Sequence, residues 1–176
     1  MRNCPNIPVT YAWNKKAWMT RDIFLKWLKA WDSDLARQGR KVCLIVDNCT
    51  AHRTDAQLSN IEVVFLPLNP TSKLQPLDQG IIRTFKSNYK RRLIDILLVK
   101  LRIGQDLKID LFGAIQMLKA SWENVKQLMI ANCFRHAGFG RTDEESVEES
   151  EEAGLACADE ESELAETWSK LERRAL

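Results

Sequence analysis

No stretch of this 176-residue chain is apolar enough to cross a membrane. The longest apolar runs are Val42–Val46 and Ile94–Val99, the second interrupted by Asp95, and both fall far short of the ~20 residues a helical span needs. The opening residues, MRNCPNIPVT, lack the apolar core of a secretory signal. The five cysteines (Cys4, Cys43, Cys49, Cys133, Cys157) are odd in number and form no CxxC or CxxH pair. That argues against a zinc site and for reduced thiols, hence cytosol or nucleus. Cys43 lies inside an apolar run and is expected to be a small buried hydrophobe. There is no internal repeat. What is present is the composition of a globular protein, 45% hydrophobic and 28% charged, in a chain long enough for one domain with a core.

The net charge of +2 conceals an asymmetry. Residues 141–176 hold 13 acidic against 4 basic residues, net −9, and the first 140 hold 22 basic against 11 acidic, net +11. A basic body with an acidic tail points to a nucleic-acid surface followed by a solvating or self-masking segment. A lysine-rich solvated surface is the plain alternative.

Val9–Trp13 has strand character. Trp18, Ile23, Trp27, Trp31 and Leu35, widened by Phe24 and Leu28, predict an amphipathic helix with Thr20 as N-cap and Gly39 at its end. Val42–Val46 reads as a strand covered on both faces. Thr54–Asn60 has room for a single helical turn, and Ile61–Leu66 is a second strand. Pro67, Pro70 and Pro76 exclude regular structure before Asp78. A long helix follows, with Ile81, Ile82, Phe85, Tyr89, Leu93, Ile96, Leu97 and Val99 on an apolar side and Arg83, Lys86, Lys90, Arg91 and Arg92 on a basic one. Asp110–Val125 predicts a further helix with Leu111, Ile115, Leu118 and Trp122 inward, and Leu128–His136 a short last one closed by Gly138. Alternating strands and helices imply an α/β sheet with parallel neighbours. The anionic stretch from Arg141 onward has no core pattern and is expected to be disordered, with a transient helix at Leu164–Leu171.

Two carboxylates, Asp47 and Asp78, stand at the ends of these elements. Metal-assisted phosphoryl transfer needs carboxylates that converge on one pocket, where hard Mg2+ takes oxygen ligands. Ligand sites of open α/β sheets also lie at the carboxyl ends of strands. Asn48 and His52 are placed to support Asp47 or contact phosphate, and Gln75 and Gln79 flank Asp78. Each has a structural alternative. Asp47 closes a turn, Asp78 caps a helix, and His52 is a surface histidine in a loop.

VDNCTAH, VVFLPLNPTSKLQPLDQGIIRTFKSNYKRRL and WENVKQLMIANCFRHAGF, in that order and preceded by NKKAWMTRDIFLKWL, resemble the DDE superfamily endonuclease domain of Tigger and pogo-type transposable elements. Host proteins of the jerky and centromere protein B kinds share it. The resemblance covers about residues 8–140, leaving 141–176 as an acidic tail. It implies an RNase H-like fold and three acidic residues that bind Mg2+, with Mn2+ as a substitute, for DNA cleavage and strand transfer. Asp47 matches the second acid and Asp78 the third. The first belongs upstream of NKKAWMT. Asp22, Asp32 and Asp34 are poor substitutes for it, and helix-turn-helix domains normally come earlier still.

The expectation is therefore a partial RNase H-like α/β fold, its early strands missing, with a helical C-terminal part. The resemblance implies a nuclear, Tigger-derived protein, expected to bind DNA through Lys86, Lys90, Arg91 and Arg92 and not to cut it alone. Exposed sheet edges favour self-association. Two alternatives stay open. One is a Mg2+-dependent endonuclease completed by an upstream segment. The other is a non-enzymatic interaction module that uses the Trp-rich helix or the tail.

Overall fold

The computed structural model describes residues 6–67, 74–140, 162 and 165–169. It divides into two compact units, Tyr11–Gln75 and a second formed by Met1–Thr10 with Pro76–Leu176.

The first unit is a helix laid on a parallel strand pair. Helix α1 spans Arg21–Gln38, and the Thr20 hydroxyl accepts the Ile23 N–H at 3.4 Å. Asp22 in the first turn suits the positive end of the helix dipole. Gly39 adopts the left-handed φ of 62° that ends the helix, and the Gly39 and Arg40 amides close onto Ala36 and Leu35 carbonyls. Phe24, Leu28 and Leu35 are buried, with Trp31 packed beside them. The buried face is thus Phe24–Leu28–Trp31–Leu35 rather than the tryptophan series. Steps of four, three and four hold one side of a 3.6-residue helix, whereas repeated steps of four drift around it. Trp18 is not in the helix at all. It is 78% exposed, in a turn where Asn14 Nδ2 donates to the Trp18 carbonyl at 2.5 Å. Val9–Trp13 forms no strand.

Strand β1 (Val42–Val46) pairs in parallel with β2 (Ile61–Phe65), in register from Val42 opposite Ile61 to Val46 opposite Phe65. The connection between them contains a 3-10 turn at Thr50–His52, and Thr54–Asn60 is not helical. Val46 and Ile61 join the α1 cluster. Cys43 is exposed, contrary to the expectation of a buried hydrophobe, because the α1 cluster takes in Val42, Leu44 and Val46, on the other side of the strand. Asp32 of α1 accepts the Asn60 N–H at 2.8 Å and the Ser59 N–H at 3.3 Å, and so fixes the start of β2. Among the described residues the sheet has these two strands, and each has one unpaired edge.

The second unit is helical. A 3-10 turn at Pro76–Gln79 leads into α2 (Ile81–Arg102), followed by α3 (Leu111–Glu123) and α4 (Gln127–His136). Gly80 joins the turn to α2 at φ 140°, and a Cβ there would lie 3.0 Å from Met129 Cε of α4. Ile81, Val125 and Cys133 form one buried cluster, Ile94 and Leu97 another. Asp110 caps α3 by accepting the Gly113 N–H at 2.7 Å. Helix α3 buries Ile115, Met117 and Ser121, while Leu111, Leu118 and Trp122 are exposed, against expectation. The small buried Ser87 of α2 and Ser121 of α3 accompany a hydrogen bond from Asn88 Nδ2 to the Ser121 carbonyl at 3.3 Å. Trp122 nevertheless meets Phe85 of α2 edge to face, with ring centroids 6.1 Å apart. Ile96 and Val99 of α2 are likewise exposed. Residues 165–169 are helical, within the stretch expected to form a helix; the acidic run 141–161, expected to be disordered, lies outside the described residues.

Leu28→Ala removes a fully buried side chain that α1 places on the strand pair. It is expected to lower stability by about 2–5 kcal/mol in urea titration, with the exposed Lys29→Ala within about 0.5 kcal/mol of the parent.

Candidate functional site

Asp47 comes directly after β1, where the backbone turns out of the sheet. Its Oδ1 accepts the Cys49 N–H at 3.2 Å and lies 2.5 Å from His52 Nδ1. The 3-10 turn carries His52 back to the carboxylate. The ring of Phe24 backs the imidazole with centroids 4.9 Å apart. His52 is therefore a partner of Asp47 and not a free loop histidine. The Asp47 side chain keeps 38% of its surface and His52 23%, so the pair is oriented yet open to solvent. Asn48 is used differently. Its Nδ2 donates to the Leu66 carbonyl at 3.0 Å, beside the Leu66 N–H to Val46 carbonyl bond at 2.8 Å. These bonds staple the exits of β1 and β2.

Asp78 is exposed in the 3-10 turn that opens the second unit. The α2 N-cap is Gly80, without a side-chain capping bond, so Asp78 is not spent as the cap. Gln79 follows it, half-buried. Among the described residues, no group of three or more His, Cys, Asp or Glu side chains is gathered to hold a metal ion. The described side chains alone do not amount to a metal centre.

Beyond Asp78, α2 presents the cations. Lys86 and Lys90 stand one turn apart and exposed, and neither has an ion pair among the described residues. Arg91 is exposed beside them. Arg92 lies about 200° around the helix from Lys90 at 100° per residue. It is half-buried, and its Nε is shut from water with no hydrogen-bond partner. The four cations thus do not share one face. Phe85, Tyr89 and Leu93 run along the lysine face, and with Leu118 of α3 and Trp168 they line a cavity of about 640 Å³.

Residues 2–134 match a family model described as DDE superfamily endonuclease. The chain belongs to the DDE superfamily endonuclease family. It is 32% identical over 134 residues to Tigger transposable element-derived protein 4 of Mus musculus, covering 76% of this chain and 26% of that protein. It is 32% identical over 137 residues to major centromere autoantigen B of Homo sapiens, covering 76% of this chain and 22% of that one. With CENP-B homolog protein 2 of Schizosaccharomyces pombe it shares 33% over 140 residues, 73% of this chain and 27% of the relative. This DDE-family chain thus spans about a quarter of the length of the curated relatives it matches. No solved structure matches it significantly. Among the described residues, no helix is long and apolar enough to cross a membrane.

Two features escaped the sequence reading. Asp32 looked only like a poor stand-in for a missing acid, yet it anchors β2; nothing in its helical spacing signals a partner 27 residues away. Phe24 looked like core alone, yet it also holds His52.

Burial raises the Cys133 thiol above its ordinary range, with the Ile81 backbone hydrogen bond acting the other way. Iodoacetamide at about pH 8 is expected to label the exposed Cys43 and Cys49 at least about tenfold faster than Cys133, read by mass spectrometry. The sign for stability follows. The unfolded chain loses the Cys133 proton first, so stability falls as pH rises beyond the ordinary thiol range and is unaffected below it.

Proposed function

We propose that this chain is a Tigger-type, DDE transposase-derived domain that binds duplex DNA through the cationic face of α2 and does not cut DNA by itself. One observation carries the reading: Lys86 and Lys90 stand exposed one turn apart, with no ion pair among the described residues, on a body of net charge +11. Ammonium groups so placed release counterions from a phosphate backbone when they bind it. They position a duplex without reading its sequence. Arg91 extends the contact, whereas Arg92, about 200° around α2 from Lys90, lies off this face. The names of the relatives agree with the reading. One is named as transposable element-derived, and another as a centromere autoantigen. A nuclear location goes with this function. An RNase H-like arrangement is the fold that the parallel pair and the family support. The unpaired edges of β1 and β2 are proposed as a self-association surface; a sedimentation profile that stays monomeric up to about 100 µM overturns that part.

A second reading, a divalent-cation-dependent endonuclease, is favoured by the geometry of Asp47. With Oδ1 engaged by His52 and the Cys49 amide, its other oxygen is oriented and open. In that reading Asp47 and Asp78 are carboxylate ligands of Mg2+ or Mn2+, and His52 and Gln79 support them. It requires more ligands than the described residues gather, so no chemical step is derived from it.

One experiment separates the two. Binding of a fluorescent duplex is expected to weaken about tenfold or more in Lys86→Glu/Lys90→Glu, with a log–log salt slope shallower by about 2 than that of the parent chain. Asp47→Ala is expected to bind as the parent does. Supercoiled plasmid is expected to stay intact in Mg2+ or Mn2+. Duplex affinity that ignores both salt and the lysine substitutions defeats the binding reading. Nicking abolished by Asp47→Ala and by Asp78→Ala puts the second reading in its place.

A further inference from the structure

Residues 165–169 lie beside the face just assigned to DNA, sharing a cavity with it. Phe85, Lys86, Tyr89, Lys90, Leu93 and Ile94 recur at alternating steps of one and three, a single stripe along α2. The cavity beside that stripe is lined also by Leu118 of α3 and by Ala165, Trp168 and Ser169. Both lysines placed on the DNA face therefore line a space shared with residues of the acidic segment. The sequence from 141 to 176 carries net −9 against +11 in the rest of the chain. Charge complementarity and placement thus name the same pair of surfaces.

The closure is loose. The shared space is about 640 Å³, room for many waters and not the close packing of a core. Trp168 keeps 39% of its surface exposed. A short helix whose Trp168 stays part-exposed buries little apolar area, and any attraction between unlike charges is screened by salt, so the segment lifts at modest cost.

We propose that the segment around Trp168 is an intramolecular cover over Lys86 and Lys90, which an incoming nucleic-acid strand must displace. This inference rests on the DNA-binding reading of α2 and adds to it an autoinhibitory contact. The occupant of the apolar stripe is the chain's own acidic segment, and the device makes affinity for DNA depend on whether that segment is seated.

The full-length chain tests this with two readouts. Acetylation of surface lysines by an N-hydroxysuccinimide ester, mapped by mass spectrometry, reports the cover without any DNA. Fluorescence anisotropy with a duplex of about 20 base pairs reports the competition. Trp168→Ala is expected to raise labelling of Lys86 and Lys90, with Lys29 unchanged, and to tighten duplex binding about 2- to 10-fold, the range of one aromatic contact. Glu148→Gln/Glu149→Gln/Glu151→Gln/Glu152→Gln lowers the acidity of the segment and leaves Ala165, Trp168 and Ser169 unchanged, and is expected to tighten duplex binding in the same direction. Labelling and affinity unchanged in both variants overturn the cover while leaving the DNA reading intact. Raised labelling in a chain that binds no duplex keeps the cover but overturns its autoinhibitory role, together with the DNA reading.

Discussion

Everything in the first unit depends on α1 covering a strand pair that has no other support among the described residues. Two parallel strands of five residues each are not a stable unit in water, since parallel sheets need their faces buried. Phe24, Leu28 and Leu35 supply that burial against Val46 and Ile61. Asp32 adds a polar lock at the start of β2. The same helix then reaches the candidate site, because the ring of Phe24 that packs in the core also backs His52. A disturbance of the core on this face is therefore a disturbance of Asp47.

In the second unit α2 has two tasks on one cylinder. Ile81, Ile94 and Leu97 are buried, while Lys86 and Lys90 stay in solvent one turn apart. Long lysine stems tolerate that neighbourhood, since their methylenes lie along apolar surface while the ammonium stays wet. Tyr89 and Leu93 on the lysine face are then left partly open, and they line one cavity with Trp168. Basic charge and apolar surface on one stripe make that face attractive both to a polyanion and to an amphipathic acidic helix.

Binding and cutting make different physical demands. Binding a phosphate backbone needs positive charge on an accessible face, which a single helix provides. Cutting by metal ions needs several carboxylates converged to within a few ångströms, which no single element provides. The family supplies the ancestry of both. The described side chains show the first feature assembled, and of the second an oriented Asp47 and an exposed Asp78.

The local grammar of the chain was decided by its sequence. Thr20 and Gly39 mark the ends of α1, and Asp110 caps α3, because capping depends on residues within one turn. The parallel pairing of Val42–Val46 with Ile61–Phe65 followed from short apolar runs between helical patterns. The motif blocks identified the family without any coordinates. Which faces were buried was only partly legible. Leu111, Leu118, Trp122 and Val99 read as core and lie in solvent, while Ser87 and Ser121 read as neutral and are buried. Hydrophobicity cannot anticipate which side of a helix its neighbours will cover. Nor could spacing show that Asn48 staples two strand exits, or that His52 turns back onto Asp47 under Phe24. Those roles belong to tertiary structure, since each is a contact between residues whose neighbours in sequence carry no trace of the partner.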